Sequence, residues 1–388
     1  MYMMKNNRLR SGLITILSAL MCVVIGLAIG FLVLMVLAYV SRNSSGQPFT
    51  FADVINDAYT KGFQRVLLGG WYGIGRVPRG PRSQLAQTAP LIMTGLSVAF
   101  AFKTGLFNIG AAGQYTVGAF GALLCALVLK LPWYLCLVAA AIFGALWGAI
   151  PGFFKAYFNV NEVITAIMFN WIGLYGVNTI LYGGGTGVMF NVKASKTWAI
   201  AAKSPASLIP DLSGIGSSYF VRPASIGLFI AIAIAFVLWV ILNKTTFGYE
   251  LKACGYSKSA AKYAGINEKK NIILSMAISG ALAGIGAGLY YLSDSAQWEP
   301  MVSTMLPAFG FDGISVALLA SSHPMGIIFS ALFISHISTG GGFMDAMIFP
   351  PEIADVIAGV IIYLCAFIML FRNKIGGLFT KKEKGGKK

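Results

Sequence analysis

The sequence predicts an all-α membrane protein of about ten transmembrane helices, and three observations predict it. Only 11% of its 388 residues are charged, whereas a soluble domain carries about 25%. Hydrophobic residues make up 57% of the chain, and mean hydropathy is +0.75. Too few charges remain to cover a water-exposed surface, which excludes a water-soluble fold. Apolar runs long enough to cross a hydrocarbon core of roughly 30 Å recur along the whole chain. They are solid, as in 11–40 and 359–371, and lack the alternation over about ten residues that a transmembrane barrel strand needs.

The expected spans are 13–40, 86–103, 112–130, 132–155, 161–182, 224–243, 271–292, 304–320, 324–338 and 354–372. The eighth and ninth are short, and Pro307, Gly310, Asp312 and Gly313 interrupt the eighth. Lys5, Arg8 and Arg10 ahead of the first run imitate a secretory signal. That run is about twice the usual signal core and lacks a clear cleavage site, so it reads as a retained helix. Cys22, Cys125, Cys136, Cys254 and Cys365 fall mostly inside apolar spans and read as small hydrophobes. Their spacing suggests neither a metal site nor a disulfide set.

Charge placement sets the orientation. Of the net +16, Lys5, Arg8 and Arg10 precede the first span. The loop 244–270 holds Lys244, Lys252, Lys258, Lys262, Lys269 and Lys270, and the tail is basic from Arg372 onward. With all three segments inside, the positive-inside rule is met by an even number of spans. Both termini are therefore expected in the cytoplasm, on a multi-pass protein of the cell membrane. Segments 41–85 and 183–223 then lie outside. The first carries Arg42, Lys61, Arg65, Arg76, Arg79 and Arg82 against the rule, which long loops obey poorly. A basic outer face would attract an acidic soluble partner. Within it, 51–68 has the spacing of a short amphipathic helix lying at the interface. Segment 183–223 opens with Gly183, Gly184 and Gly185 and reads as a loop with little regular structure. Residues 1–388 read as one membrane domain. If spans 2–5 and 7–10 are diverged copies, they form an inverted pair, a common basis of alternating access.

Enzyme signatures are missing from the sequence. It has no GxxxxGK[ST] phosphate loop, and its cytoplasmic segments are too short for a nucleotide-binding domain. Gly284, Gly286 and Gly288 fail the dinucleotide fingerprint, since residue 289 is Leu and no strand precedes them. Gly280, Gly284 and Gly288 read better as a small-residue stripe for close helix packing. His323 and His336 have no carboxylate or cysteine set nearby for a metal or a catalytic triad. No catalytic residue and no metal are expected.

Four constellations carry information. In Thr104-Gly-Leu-Phe-Asn-Ile-Gly-Ala-Ala-Gly-Gln114, three glycines and two amides are poor sequence for a continuous helix. Irregular backbone at membrane depth survives only when buried in protein or lining a cavity. Asn108 and Gln114 therefore either line a pathway or stitch the helix break. In the second, Asn161 can cap the fifth span and Glu162 can complement its dipole, or Glu162 serves an inner gate. Asn170 and Asn178 lie deeper, on roughly one face, where polar groups usually meet a bundle interior or water-filled cavity. In the third, Asp312 sits between glycines in a short apolar span, near the outer surface or at a functional site. The fourth, 248–266, lies in the basic cytoplasmic loop. Ser257 or Ser259 can cap a short helix through Ala260, Ala261 and Ala264, which Gly265 can end. Such a small-residue helix suits docking into a partner's groove, against the plainer reading of a solvated basic loop.

At these residues the chain resembles the inner-membrane permeases of the branched-chain amino acid, ribose and nucleoside ABC importers. Loop 248–266 is similar to that family's coupling loop, with Glu250, Ala253 and Gly255 matching its EAA-type pattern and Ala260, Ala261 and Gly265 following. GLFNIGAAGQ at 105–114, NEVITAIMFNW at 161–171 and GFDGISVALLA at 310–320 look most like the nucleoside branch. The resemblance departs at Ala112, where an acidic residue is common, at Lys103, and at Ala320-Ser321-Ser322. Cargo is therefore less fixed than transport class, and a simple sugar or branched-chain amino acid is the alternative. An ATPase-independent secondary transporter would need more deep acidic residues than this chain has.

The resemblance implies a permease subunit paired with a second, different permease and surrounded by membrane lipid. A cytoplasmic ABC ATPase would bind the ATP, so the chain itself would hold no cofactor. An extracytoplasmic binding lipoprotein would deliver substrate, and no nucleic acid is involved. Asn108, Gln114, Asn170, Asn178, Asp312, Phe107 and Trp171 are pathway candidates, with Glu162 at the gate. Tyr115 and Phe169 are further aromatic rings available to a nucleoside.

Overall fold

Helices occupy all ten expected spans in the computed structural model, which describes residues 2–46, 48–72, 80–183, 187–210, 226–293, 296–299, 305–350 and 352–366. The chain begins with α1 (Tyr2–Ser44), α2 (Phe51–Asp57), a π turn (Ala58–Phe63) and α3 (Gln64–Tyr72). Four long elements follow: α4 (Gly80–Lys103), α5 (Ala111–Leu127), α6 (Trp133–Phe158) and α7 (Glu162–Gly183). Next come a two-residue hairpin, β1 (Phe190–Asn191) and β2 (Lys196–Thr197), then α8 (Ile200–Lys203) and α9 (Ile226–Lys244). Short helices α10 (Thr246–Tyr256) and α11 (Lys258–Tyr263) lead to α12 (Glu268–Tyr291), α13 (Ala308–Leu319), α14 (Pro324–Gly341) and α15 (Ile353–Ala366). Among the described residues seven helices are long and apolar enough to cross a membrane, and the third, eighth and tenth expected spans are shorter apolar helices. Both α1 and α4 start earlier than their apolar runs, because extending a nucleated helix into polar sequence costs little. The end of the tenth span and the basic tail lie outside the described residues.

The described chain forms two compact units. One holds the residues up to Gly80 and from His336 onward; the other is Pro81–Ser335. In the first, α1 lies along α15 where Gly26 faces Ile361 and Gly30 faces Ile357. A reciprocal Thr50–Asp53 capping box starts α2. The buried Asp57 carboxylate accepts from Arg42 Nε at 2.6 Å and Lys61 Nζ at 2.9 Å. Burial alone would raise its pKa, but these two cations outweigh that and hold it below the ordinary value. The expected amphipathic helix is thus longer than 51–68 and contains a π turn. His336 fastens this unit through its ring nitrogen and the Leu67 carbonyl, 2.8 Å apart.

The core of the second unit is made by α5, α6 and α12. The stripe Gly280, Gly284 and Gly288 on α12 meets a second stripe on α6, from Ala140 through Gly144 to Gly148. A Cβ added at Gly280 would strike the Gly144 carbonyl, and one at Gly284 the Ala140 carbonyl. Gly118 of α5 is held equally close to Gly284. Lipid offers no hydrophobic drive between helices, so this backbone approach supplies the packing.

Segment 183–223 is more ordered than its composition suggested, as far as 187–210 shows. The Thr197 amide donates to the Trp298 carbonyl at 2.8 Å, and the Trp298 amide returns a bond to Thr197 Oγ1 at 3.0 Å. Ile209 N donates to the Leu292 carbonyl at 2.9 Å. Partners about a hundred positions away satisfy this backbone, which local composition does not reveal.

Gly284→Val is expected to lower the midpoint of thermal unfolding in detergent by several degrees or prevent folding, since overpacking typically costs 1–3 kcal/mol or more. Gly176→Val, where an added Cβ meets nothing within 4 Å, is expected to leave the midpoint almost unchanged.

Candidate functional site

The helix break between α4 and α5 is the point at which all four sequence constellations meet. Gly105 takes φ +73°, closing α4 through bonds from Leu106 N to the Ala101 carbonyl (2.9 Å) and from Gly105 N to the Phe102 carbonyl (3.2 Å). This closure is a Schellman motif, and the left-handed position suits glycine. Asn108 then turns the chain toward α5, its Oδ1 accepting from Gly110 N at 3.1 Å. Its Nδ2 donates to Gln114 Oε1 at 2.7 Å, while Gln114 Nε2 donates back to Asn108 Oδ1 at 3.0 Å. Ser97 of α4 and Ser279 of α12 complete the cluster, accepting from Asn108 Nδ2 at 3.1 and 2.8 Å. Asn108 and Gln114 are both buried. Their partners lie within the chain and stitch the break.

Asn170 ties the second constellation to the same place. Its Oδ1 accepts from Gly113 N at 2.8 Å, satisfying a free amide of the first turn of α5, and its Nδ2 donates to the Ile109 carbonyl at 3.0 Å. Asn178 lies farther along α7 and accepts from Trp298 Nε1 at 2.9 Å. Asn161 caps α7, its Oδ1 accepting from Val163 N at 2.9 Å. Glu162 is paired with Lys155 at 2.9 Å, bridging the ends of α6 and α7, and the charge of Lys258 on α11 also acts on it.

The third constellation packs through its glycines. Gly310 lies against the backbone of Ala112, and Gly313 against Thr94, 2.7 Å from an added Cβ to its carbonyl carbon. Asp312 between them is half-buried. Helix α13 ends as α4 does, with Ser322 N donating to the Ala317 carbonyl at 2.7 Å and Ser321 at φ +50°.

The fourth constellation reaches the break directly. Ser257 caps α11 by accepting from Ala260 N at 3.3 Å, and Gly265 follows its end at φ +79°. Within α10, Gly255 lies on Gly105; a Cβ on Gly255 would sit 2.6 Å from Thr104 C and 2.7 Å from Gly105 N. Thr104 also bonds Ser275 of α12, hydroxyl to hydroxyl. A cleft of about 150 Å³ separates Leu106, Lys258 and Asn271 beside this joint. Glu250 and Ala253 are half-buried on α10, Ala261 is buried, and Ala260 is exposed. Of the aromatic candidates, Phe107 stacks on Phe102 with 5.1 Å between centroids. Trp171 is exposed and stacks on Tyr175 at 5.8 Å, on a face of α7 away from the amide cluster. Ser97, Ser275, Ser279 and the Gly105–Gly255 joint were missed from sequence. Hydroxyls within apolar spans were the available signal.

The family described as "Branched-chain amino acid transport system / permease component" matches residues 81–366, which contain every part of this site. The chain belongs to that permease family. It is a multi-pass membrane subunit of an ABC transporter and not an enzyme. It is 33% identical over 380 residues to the guanosine ABC transporter permease protein NupP of Bacillus subtilis, covering 95% of this chain and 97% of that one. It is 35% identical to the nucleoside ABC transporter permease protein NupB of Lactococcus lactis, covering 78% and 85%. The glucose ABC transporter permease protein TsgB13 of Haloferax volcanii is 29% identical, covering 77% and 79%. No solved structure matches.

Asn170→Ala strands the Gly113 amide and the Ile109 carbonyl. It is expected to destabilise the folded subunit by about 1–3 kcal/mol for each group that water does not reach, read as a lower unfolding midpoint in detergent. Asn161→Ala, at an exposed cap, is expected to cost about 1 kcal/mol.

Proposed function

We propose that this chain is a permease subunit of a nucleoside importer, forming half of the transmembrane passage with a second, different permease. A cytoplasmic ABC ATPase binds the ATP and drives the cycle, and an extracytoplasmic lipoprotein delivers substrate. Both termini face the cytoplasm. The observation that carries the cargo is the similarity along 95% of the chain to a permease named for guanosine.

The geometry supports a specific division of labour. Helices α10 and α11 present Tyr249, Tyr256 and Tyr263, the last two more than 90% exposed, on a segment rich in lysine. Aromatic side chains left this bare suit an interface that a partner covers. ATPase motion taken up there passes through the Gly255–Gly105 backbone contact into the break held by Asn108 and Gln114. The Lys155–Glu162 pair, under the field of Lys258, offers a second route to the ends of α6 and α7 and acts as the inner gate.

The glucose permease among the relatives favours a second reading, sugar as cargo. Uptake of radiolabelled guanosine by cells expressing the complete transporter separates the two. Guanosine accumulation that cold guanosine abolishes and glucose leaves intact is expected; glucose uptake without guanosine uptake overturns the cargo. For the coupling route, Gly255→Val is expected to leave membrane insertion and ATPase binding intact while cutting guanosine taken up per ATP hydrolysed by about tenfold or more. An unchanged ratio would remove this joint from the mechanism.

A further inference from the structure

Tyr115 follows Gln114 on α5 and is fully sealed from solvent. Its ring stacks on Phe309 of α13, with 5.7 Å between centroids and 29° between planes, and lies 6.4 Å from the ring of Tyr291. Tyr290 meets Phe309 edge-on, with 4.8 Å between centroids. Tyr291 meets Trp298 at 5.8 Å. These rings gather at the end of α12 remote from the coupling segment. Tyr290 and Phe309 are partly exposed, whereas Tyr115 behind them is not.

The Tyr115 hydroxyl has no hydrogen-bond partner among the described residues. A buried tyrosine ordinarily finds one, and an unpaired buried hydroxyl costs stability that a phenylalanine of the same shape would not. Its position also ties it to the helix break. Gln114 precedes it in the amide cluster, and Phe309 precedes Gly310, which rests on Ala112. Tyr115 and Phe309 are thus both one residue away from groups that pack or bond at the helix break.

We propose that this cluster is the nucleobase contact of the passage. A base stacks on Tyr290 and Phe309, and as Phe309 gives way the Tyr115 hydroxyl bonds to the edge of the base. Every base offers a π face to such a platform. A monosaccharide would find few polar partners there. This inference rests on the nucleoside reading above.

Tyr115→Phe, in the complete transporter reconstituted in proteoliposomes, removes one oxygen and nothing else. Copurification of the ATPase subunit verifies assembly. The initial rate of guanosine uptake is expected to fall about three- to tenfold, the range of one hydrogen bond, while the unfolding midpoint stays level or rises. Tyr290→Leu is expected to lose uptake, and Tyr290→Phe to keep it. Wild-type uptake by Tyr115→Phe with a raised midpoint would mark the hydroxyl as a structural defect only and overturn the inference, as would wild-type uptake by Tyr290→Leu. Failure of the unmodified transporter to take up guanosine would instead overturn the nucleoside reading itself.

Discussion

Buried backbone that leaves the helix must find hydrogen bonds inside the protein, and that requirement organises this chain around residues 104–114. Helix α4 stops at Lys103 and α5 starts at Ala111, so several amides and carbonyls lose their helical partners between them. Asn108 supplies one to the Gly110 amide and Asn170 supplies two, to the Gly113 amide and the Ile109 carbonyl, while Gln114 holds the Asn108 side chain in place. The net gain from each bond is about 0.5–1.5 kcal/mol, but losing one partner strands the other at about 1–3 kcal/mol. The cluster is therefore held together more by the cost of opening it than by the gain of forming it.

That cost is what makes the break useful to a transporter. An element with two arrangements can carry a signal only if both arrangements satisfy its polar groups, and amides can exchange one partner for another. The surrounding helices behave differently. Where α12 meets α6 and α5, backbones touch through Gly144, Gly280 and Gly284, and a contact of that kind has no slack. The second unit thus combines a glycine-packed core with a hydrogen-bonded helix break beside it, both anchored on α12 through Ser279 and Gly284.

Much of this was legible in the sequence because period and composition report burial. The ten spans, the Ser257 cap, the Asn161 cap and the α12 glycine stripe all follow from local rules. The partners were not legible. Gly280 announces that something comes close, but not that it is the Gly144 carbonyl. Ser97 and Ser279 look like small apolar-span residues until Asn108 is seen between them. The order of 187–210 was hidden for the same reason, since Thr197 pairs with Trp298. Asn108, Gln114 and Asn170 stood out as amides amid apolar sequence, and their bonds run within the chain.

The joint between α10 and the break follows from two absent side chains. A contact between Gly105 and Gly255 transmits compression, because each backbone is already at the other's surface, but it provides no bond through which to pull. Return of the segment must come from elsewhere. The Thr104–Ser275 hydroxyl pair ties the break to α12, and the Lys155–Glu162 pair ties α6 to α7 near Lys258. In the proposed importer, push through glycines and recoil through polar ties would let an ATPase that acts on α10 and α11 drive the break in one direction, leaving the packed helices to restore it.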